Sequence, residues 1–209
     1  MSKPLIGILA LQGDVREHRH ALEACGADVL EVKTVAALER VDGIVFPGGE
    51  STTMSKLAVA FGLIEPLRAA IRSGLPAYGS CAGLIMLADR IIDGRDDQQT
   101  VGGLDVVVRR NAFGRQVDSF EADLHAPGMV GDAPMRAVFI RAPWVESVGP
   151  GVEVLARVEG GPRTDTIVAV QQGNVMATSF HPEITADLRV HEYFVNLVRA
   201  AGRRNASGR

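Results

Sequence analysis

Ala77-Tyr78-Gly79-Ser80-Cys81-Ala82-Gly83-Leu84-Ile85-Met86-Leu87-Ala88 is the stretch that decides how the chain is read. A turn at Gly74-Leu75-Pro76 precedes it. Residues 77–80 predict a short buried strand, and residues 84–88 are good helix formers. The chain must therefore turn sharply from strand into helix at Cys81. Small residues at 79, 80, 82 and 83 admit that turn, where bulky side chains would clash. The thiol is then held at a helix N-terminus, where the dipole and free N–H groups favour a thiolate. A protein builds a nucleophilic cysteine in this way. A small buried cysteine beside a tight turn has the same spacing, and Gly-x-Cys-x-Gly alone leaves both readings open.

Upstream of this elbow, strand and helix alternate. Residues 5–11 form a continuous apolar run of the kind carried by central parallel strands. Gln12-Gly13 turns the chain, and residues 15–25 predict a helix closed by Gly26. Strands are expected at 29–32 and 42–46, and helices at 36–40, 52–61 and 63–73. This alternation predicts an α/β fold with a mixed, mostly parallel, flavodoxin-like sheet flanked by helices on both faces. Ligands of such sheets bind beyond the strand C-terminal ends. Pro47-Gly48-Gly49-Glu50-Ser51 and Cys81 both fall at such ends, so they can face one crevice.

Downstream the chain is richer in strands. These are expected at 104–109, 137–140, 152–158, 166–171 and 174–180, with a hairpin turn at Gly173 and a polar loop at 93–100. Residues 187–201 predict a final amphipathic helix. Residues 202–209, with Arg203, Arg204 and Arg209, read as a disordered, solvated tail. That leaves one domain over residues 1–201, as 209 residues allow.

Net charge is −3, so no general polyanion-binding surface and no nucleic-acid partner are expected. No apolar run is long enough to span a membrane, and residues 5–11 are too short for a signal peptide. The expected location is the cytoplasm, with both cysteines, Cys25 and Cys81, reduced.

A nucleophilic cysteine needs a base, and the base an orienting group. Five histidines are available. His18 and His20 fall on the first helix and His191 on the last, as surface or core helix residues. His125 falls in a loop. His181 directly follows an apolar strand, so it too sits at a strand C-terminal end. Pro182 stops the strand, and Glu183 lies two residues on, where an extended segment projects it to the same side. Glu183 is thereby the expected acceptor that fixes the imidazole tautomer. Cys25 ends an apolar helix face and reads as a core residue.

Gly79-Ser80-Cys81-Ala82-Gly83 together with Ser179-Phe180-His181-Pro182-Glu183 resembles the class I (triad-type) glutamine amidotransferases. Further stretches narrow the resemblance: Leu11-Gln12-Gly13-Asp14-Val15-Arg16-Glu17-His18, Pro47 to Met54, Arg110-Asn111-Ala112-Phe113-Gly114-Arg115-Gln116, Ser119-Phe120-Glu121 and Phe139-Ile140-Arg141-Ala142-Pro143. As a set they resemble the glutaminase-subunit family of pyridoxal 5'-phosphate synthase, over most of the chain.

The resemblance implies hydrolysis of L-glutamine to glutamate and ammonia, without cofactor or metal. The ammonia would pass to a separate synthase (lyase) subunit that builds pyridoxal 5'-phosphate. Cys81, His181 and Glu183 would form the triad. The backbone N–H groups of Gly49 and Ala82 would form the oxyanion hole, and Gly49, Glu50, Ser51, Arg110, Ile140 and Arg141 the glutamine site. Paired glycines permit more than one peptide orientation, so the isolated chain is expected to be a poor glutaminase that its partner switches on. A scaffold that only binds a partner, a cysteine hydrolase or redox sensor, and the same glutaminase serving another acceptor are the competing readings. Intact triad positions oppose the first, Gly48-Gly49-Glu50-Ser51 with paired His181 and Glu183 the second, and the resemblance itself the third.

Overall fold

Chain order brings β1 (Leu5–Leu9), α1 (Val15–Ala24), β2 (Asp28–Val32), α2 (Val35–Leu38), β3 (Gly43–Phe46), α3 (Ser51–Ala60), α4 (Ile64–Arg72), β4 (Ala77–Ser80) and α5 (Ala82–Leu87). There follow β5 (Ala88–Ile92), β6 (Leu104–Arg109), β7 (Phe120–Ala126), α6 (Pro127–Val130), β8 (Gly131–Phe139), β9 (Trp144–Val148), β10 (Glu153–Arg157), β11 (Ile167–Gln172), β12 (Val175–Thr178) and α7 (Arg189–Ser207). This computed structural model describes residues 3–110, 119–160 and 163–207. The stretch 111–116, which carries part of the family resemblance, lies outside the described residues.

The main sheet has the order β2-β1-β3-β4-β12-β11-β9-β6-β5, with β10 on β11. From β2 to β12 all neighbours are parallel. Beyond β12 the pairs β12–β11, β11–β9 and β9–β6 are antiparallel. A separate hairpin pairs β7 with β8.

Period-two burial explains the two helical layers. On β3, Ile44 and Phe46 pack on one side with Met54 of α3 and with Leu67 and Ile71 of α4. Val45 faces the other side with Tyr78 of β4, Leu22 of α1 and Phe194 of α7. Strands buried on both faces read as continuous apolar runs, which is why the parallel half was legible.

The register decides where the chemistry goes. Phe46 pairs with Gly79, and Ser80 pairs with Thr178. The C-terminal ends of β3, β4 and β12 therefore lie side by side, and the segments leaving them emerge at one edge.

Several elements differ from the sequence expectation. β1 ends at Leu9 rather than residue 11, because the turn carrying Gln12-Gly13-Asp14 begins there. β5, β7 and β9 were not expected. β7 exposes Glu121, Asp123 and His125 on its outer face, so its apolar signal is thin. Helix α7 continues past residue 201 to Ser207. Arg204 on that extension donates to Asn174 Oδ1 at 2.6 Å.

Candidate active site

Cys81 caps the N-terminus of α5 at φ +48° and ψ −99°, a conformation that costs a non-glycine residue backbone strain. The surroundings hold it there. Its N–H donates to the Thr178 carbonyl at 2.8 Å. A Cβ on Gly79 would strike the Gly83 backbone, and one on Gly83 would strike the Phe46 carbonyl. Both glycines serve close approach of strand and helix, at negative φ.

His181 leaves β12 with its N–H donating to the Val138 carbonyl at 3.0 Å. The geometry beyond it differs from the expected extended segment. Pro182–Ile184 is a 3-10 turn, and that turn brings Glu183 back under the imidazole. Nδ1 of His181 lies 2.7 Å from Glu183 Oε1, and both residues are buried. Asp14 Oδ2 stands 3.5 Å from the same nitrogen. With Nδ1–H donating to a carboxylate, Nε2 is the nitrogen left for Cys81. Gly48 makes room for this: a Cβ there would come within 2.5 Å of His181 Cε1 and 2.7 Å of Asp14 Oδ2.

Burial by itself pushes the His181 imidazole down. Hydrogen bonding to Asp14, Cys81 and Glu183 outweighs it and raises the group to about 12. These contacts favour the protonated imidazole. Glu183 is pushed up by its burial and held back by His181. For this coupled pair the favoured direction is the ion pair, because each charge offsets the burial cost of the other. Asp14, His181 and Glu183 also place three metal-type ligand atoms within 4.8 Å of one another. Their arrangement is that of a shared proton, since Nδ1 already points its hydrogen at Glu183.

A cavity of about 280 Å³ opens onto Cys81. Gly49, Glu50, Ser51, Ala82, Arg110, Ile140 and Arg141 line it, joined by Ile85 and Pro143. It is a volume suited to one small amino acid. Cys81 itself is 6% exposed. Ala82 is the first residue of α5, where N–H groups lack intrahelical partners. Gly49 stands at φ +148°, and the next peptide N–H, that of Glu50, donates to Gln12 Oε1 at 2.8 Å. Arg141 is also at positive φ, +44°.

Glu50, expected in the glutamine site, lines the cavity, and its carboxylate is engaged within the wall. It caps α3, accepting from Thr52 N at 3.0 Å and Thr53 N at 2.7 Å, and Arg110 Nη2 reaches it at 3.3 Å. Burial works against the charge, but the Thr52 and Thr53 hydrogen bonds hold the carboxyl at about 2. Arg110 also donates to Gln98 Oε1 at 2.6 Å, and Gln98 donates to Ser51 Oγ at 3.1 Å.

Four residues of this region were given no individual site role from the sequence: Gln12, Asp14, Gln98 and His18. Gln12 and Asp14 follow β1 at the same sheet edge as Gly48 and Cys81, so position alone pointed to them. Gln98 lies in a polar loop with no periodicity to place it. His18 is fully buried on the face of α1 that carries Ala21 and Leu22.

The arrangement has the parts that hydrolysis through an acyl-thioester requires: a cysteine, a histidine and a carboxylate that orients it. The protein belongs to the SNO glutamine amidotransferase family, whose model matches residues 8–200. It is 64% identical over 203 residues to a Nocardia farcinica protein named pyridoxal 5'-phosphate synthase subunit PdxT, covering 97% of this chain and 89% of that one. A protein of the same name from Acidothermus cellulolyticus is 61% identical, with 97% of each chain covered. Among solved structures, one described as a glutamine amidotransferase superposes with a TM-score of 0.84 at 47% identity, covering 93% of this chain and 98% of that one. PurLQS from Thermotoga maritima superposes at 0.68 with 19% identity over 98% of this chain and 100% of that one, a likeness of fold.

Proposed function

We propose that this glutamine amidotransferase hydrolyses L-glutamine through Cys81, His181 and Glu183 and passes the ammonia to the synthase (lyase) subunit of pyridoxal 5'-phosphate synthase. The observation that carries the triad is Cys81 at the strained elbow, opening on the cavity, with the buried 2.7 Å His181–Glu183 pair beside it. The names of the relatives support the acceptor. No helix among the described residues is long and apolar enough to cross a membrane, and both cysteines are free. Both facts support a reaction set in the cytoplasm.

In the first step the Cys81 sulfur, its proton on His181, attacks the amide carbon of glutamine. The carbonyl oxygen becomes an oxyanion facing the Gly49 and Ala82 N–H groups. As the C–N bond breaks, His181 gives its proton to the leaving nitrogen, and ammonia departs. A γ-glutamyl thioester remains on Cys81. Water then attacks it with His181 as base, the C–S bond breaks, and glutamate leaves. Glu183 holds the imidazole through both transfers and stabilises its charge. Gly49, Glu50, Ser51, Arg110, Ile140 and Arg141 shape the pocket for the amino-acid end of glutamine. Arg141 offers its guanidinium to the carboxylate, while Arg110 orders the wall through Glu50 and Gln98.

The test uses the chain with its cognate synthase subunit. Wild type should support pyridoxal 5'-phosphate formation with glutamine or with ammonium salt as nitrogen source. Cys81→Ala should support it with ammonium alone. Glutamine-driven formation by Cys81→Ala overturns the triad. Glutaminase turnover with no transfer of nitrogen into product overturns the acceptor. Turnover of the chain alone should lie far below that of the complex; equal values remove the idea of partner gating.

A further inference from the structure

Behind Glu183 lies a buried polar chain that the proposed reaction does not use. His18 Nε2 is 3.0 Å from Ser80 Oγ, and Ser80 Oγ donates to Glu183 Oε1 at 3.3 Å. His18 Nε2 is itself 3.6 Å from Glu183 Oε1. His18 Nδ1 is 3.0 Å from His191 Nε2. His18, Ser80 and His191 are all at 0% exposure. The Tyr78 ring stands edge-on to both imidazoles, with centroids 6.0 Å away.

The hydrogens in this chain have one economical direction. A carboxylate only accepts, so the Ser80 hydroxyl points at Glu183. Ser80 Oγ then accepts from His18 Nε2–H, which leaves His18 Nδ1 as an acceptor. His191 Nε2–H fills it, and His191 Nδ1 is left as a bare lone pair. That atom has no hydrogen-bond partner among the described residues. The reverse direction would bury an orphaned N–H on His191 and withdraw the Ser80 donor from Glu183, which costs more.

Resting on the triad reading above, we infer that His18 is a positioning residue. It acts through Ser80, keeping a hydrogen-bond donor on Glu183 so that the acid stays ionised and aimed at His181. His191 fixes the His18 tautomer from the last helix. The arrangement needs both imidazoles neutral. Burial lowers His18 far below the usual histidine range, helped by the nearby His191 and His181. Burial brings His191 down to about 4. The groups facing Glu183 from the packed elements are accounted for: His181 on its own turn, Asp14 from the β1–α1 turn, His18 from α1, and Tyr78 and Ser80 from β4. Beside the backbone N–H of Glu183 itself, the Ser80–His18 pair delivers a neutral side-chain donor to the carboxylate. The remaining Glu183 oxygen, Oε2, is buried without a hydrogen-bond partner among the described residues, so losing the Ser80 donor would leave the acid held by His181 and its own backbone N–H.

The experiment measures glutaminase kinetics of the complex with its synthase subunit across pH for His18→Leu, His18→Gln, Ser80→Ala and Cys81→Ala. His18→Leu should lower kcat by about 10- to 100-fold, the range that outer partners of a site's ligands command. KM for glutamine should stay within twofold. The acid limb of kcat/KM should move to higher pH, because an acid without its donor is protonated sooner on the way down. His18→Gln, whose amide nitrogen can reach Ser80, should restore most of the rate and return the acid limb. Should His18→Leu fail to fold, Ser80→Ala removes one oxygen and is expected to give the same two changes. An unmoved acid limb, or His18→Gln as impaired as His18→Leu, overturns the inference. Retained activity in Cys81→Ala instead overturns the triad reading, so the two failures are distinct.

Discussion

Cys81 and Cys25 are both free cysteines, and the more buried of the two is the proposed nucleophile. Cys81 is 6% exposed, at positive φ, at the start of α5, with His181 beside it. Cys25 is half-buried at the C-terminal cap of α1, and its thiol donates weakly to the Leu188 carbonyl at 3.8 Å. Burial raises the Cys25 thiol to about 11, with Glu192 adding to the effect and Arg199 opposing it. Exposure alone would select Cys25, against the proposed assignment. What separates them is the end of the helix each occupies and the charge each faces: an N-terminus and an imidazolium against a C-terminus and a carboxylate.

The largest expected effect is on that contrast itself. Cys81→Ala should cost about a millionfold in glutamine turnover, as loss of a triad nucleophile does. Cys25→Ala should leave turnover within twofold. Glutamate release by the complex checks both, and a shared loss would erase the distinction between the two sites. Next comes Gly49→Ala, which separates the nucleophile from its oxyanion hole. At φ +148° a Cβ would meet Gln12 Oε1 at 2.5 Å, so the peptide must shift. Turnover should fall by about 100- to 1,000-fold, the worth of one oxyanion donor. Cys81 should still be alkylated by a glutamine-like diazo-ketone, as peptide mass mapping would reveal. If labelling disappears along with turnover, Gly49 acts on the thiol rather than on the hole.

Smaller effects sharpen the other side. With a neutral alkylating agent, Cys25 modification should rise about tenfold per pH unit from pH 7 towards its value near 11, because only the thiolate reacts. A pH-independent rate would mean Cys25 is not held as a thiol. Cys25→Ala should lower stability by roughly 1–2 kcal/mol, read by urea denaturation. The smallest effect belongs to the wall of the Cys81 cavity. Glu50→Ala removes the cap of α3 and should cost about 1 kcal/mol. The folded Glu50 carboxyl, at about 2, lies below its ordinary 4.5. Its contribution is therefore complete above the ordinary value and is lost as pH falls towards 2. The Tm gap between wild type and Glu50→Ala should close over that window; a constant gap would assign the cap no charge.

The parallel half of the fold was legible because its central strands β1, β3, β4 and β12 are buried on both faces, while α1 and α4 bury one, so hydrophobic period and element coincide. Gly173 marked its hairpin for the same local reason. β7 and β9 were not legible. Their stability lies in cross-strand pairing, such as stacked Phe120 and Phe139 at 4.5 Å, and not in any run of their own. The pairing of His181 with Glu183 was legible in spacing but through the wrong geometry. Pro182 opens a 3-10 turn rather than continuing the strand, and either path puts the two side chains together.

The sequence by itself determined the elbow, the Gly-Gly turn after β3 and the His-Pro-Glu after β12, because local turn chemistry and strand ends are written in neighbouring residues. It also named most of the residues that line the cavity, all but Ile85 and Pro143, by resemblance rather than by periodicity. Only the tertiary structure decided that the Glu50 carboxylate is engaged by its own helix and by Arg110, and that Gln98 bridges Arg110 to Ser51. Only the tertiary structure carried His18 and His191, 173 residues apart, into one hydrogen bond behind Glu183. A histidine on an apolar helix face reads alike whether it fills a core or ends a proton chain. The partner that distinguishes the two arrives from the other end of the chain, through the packing of α1 against α7.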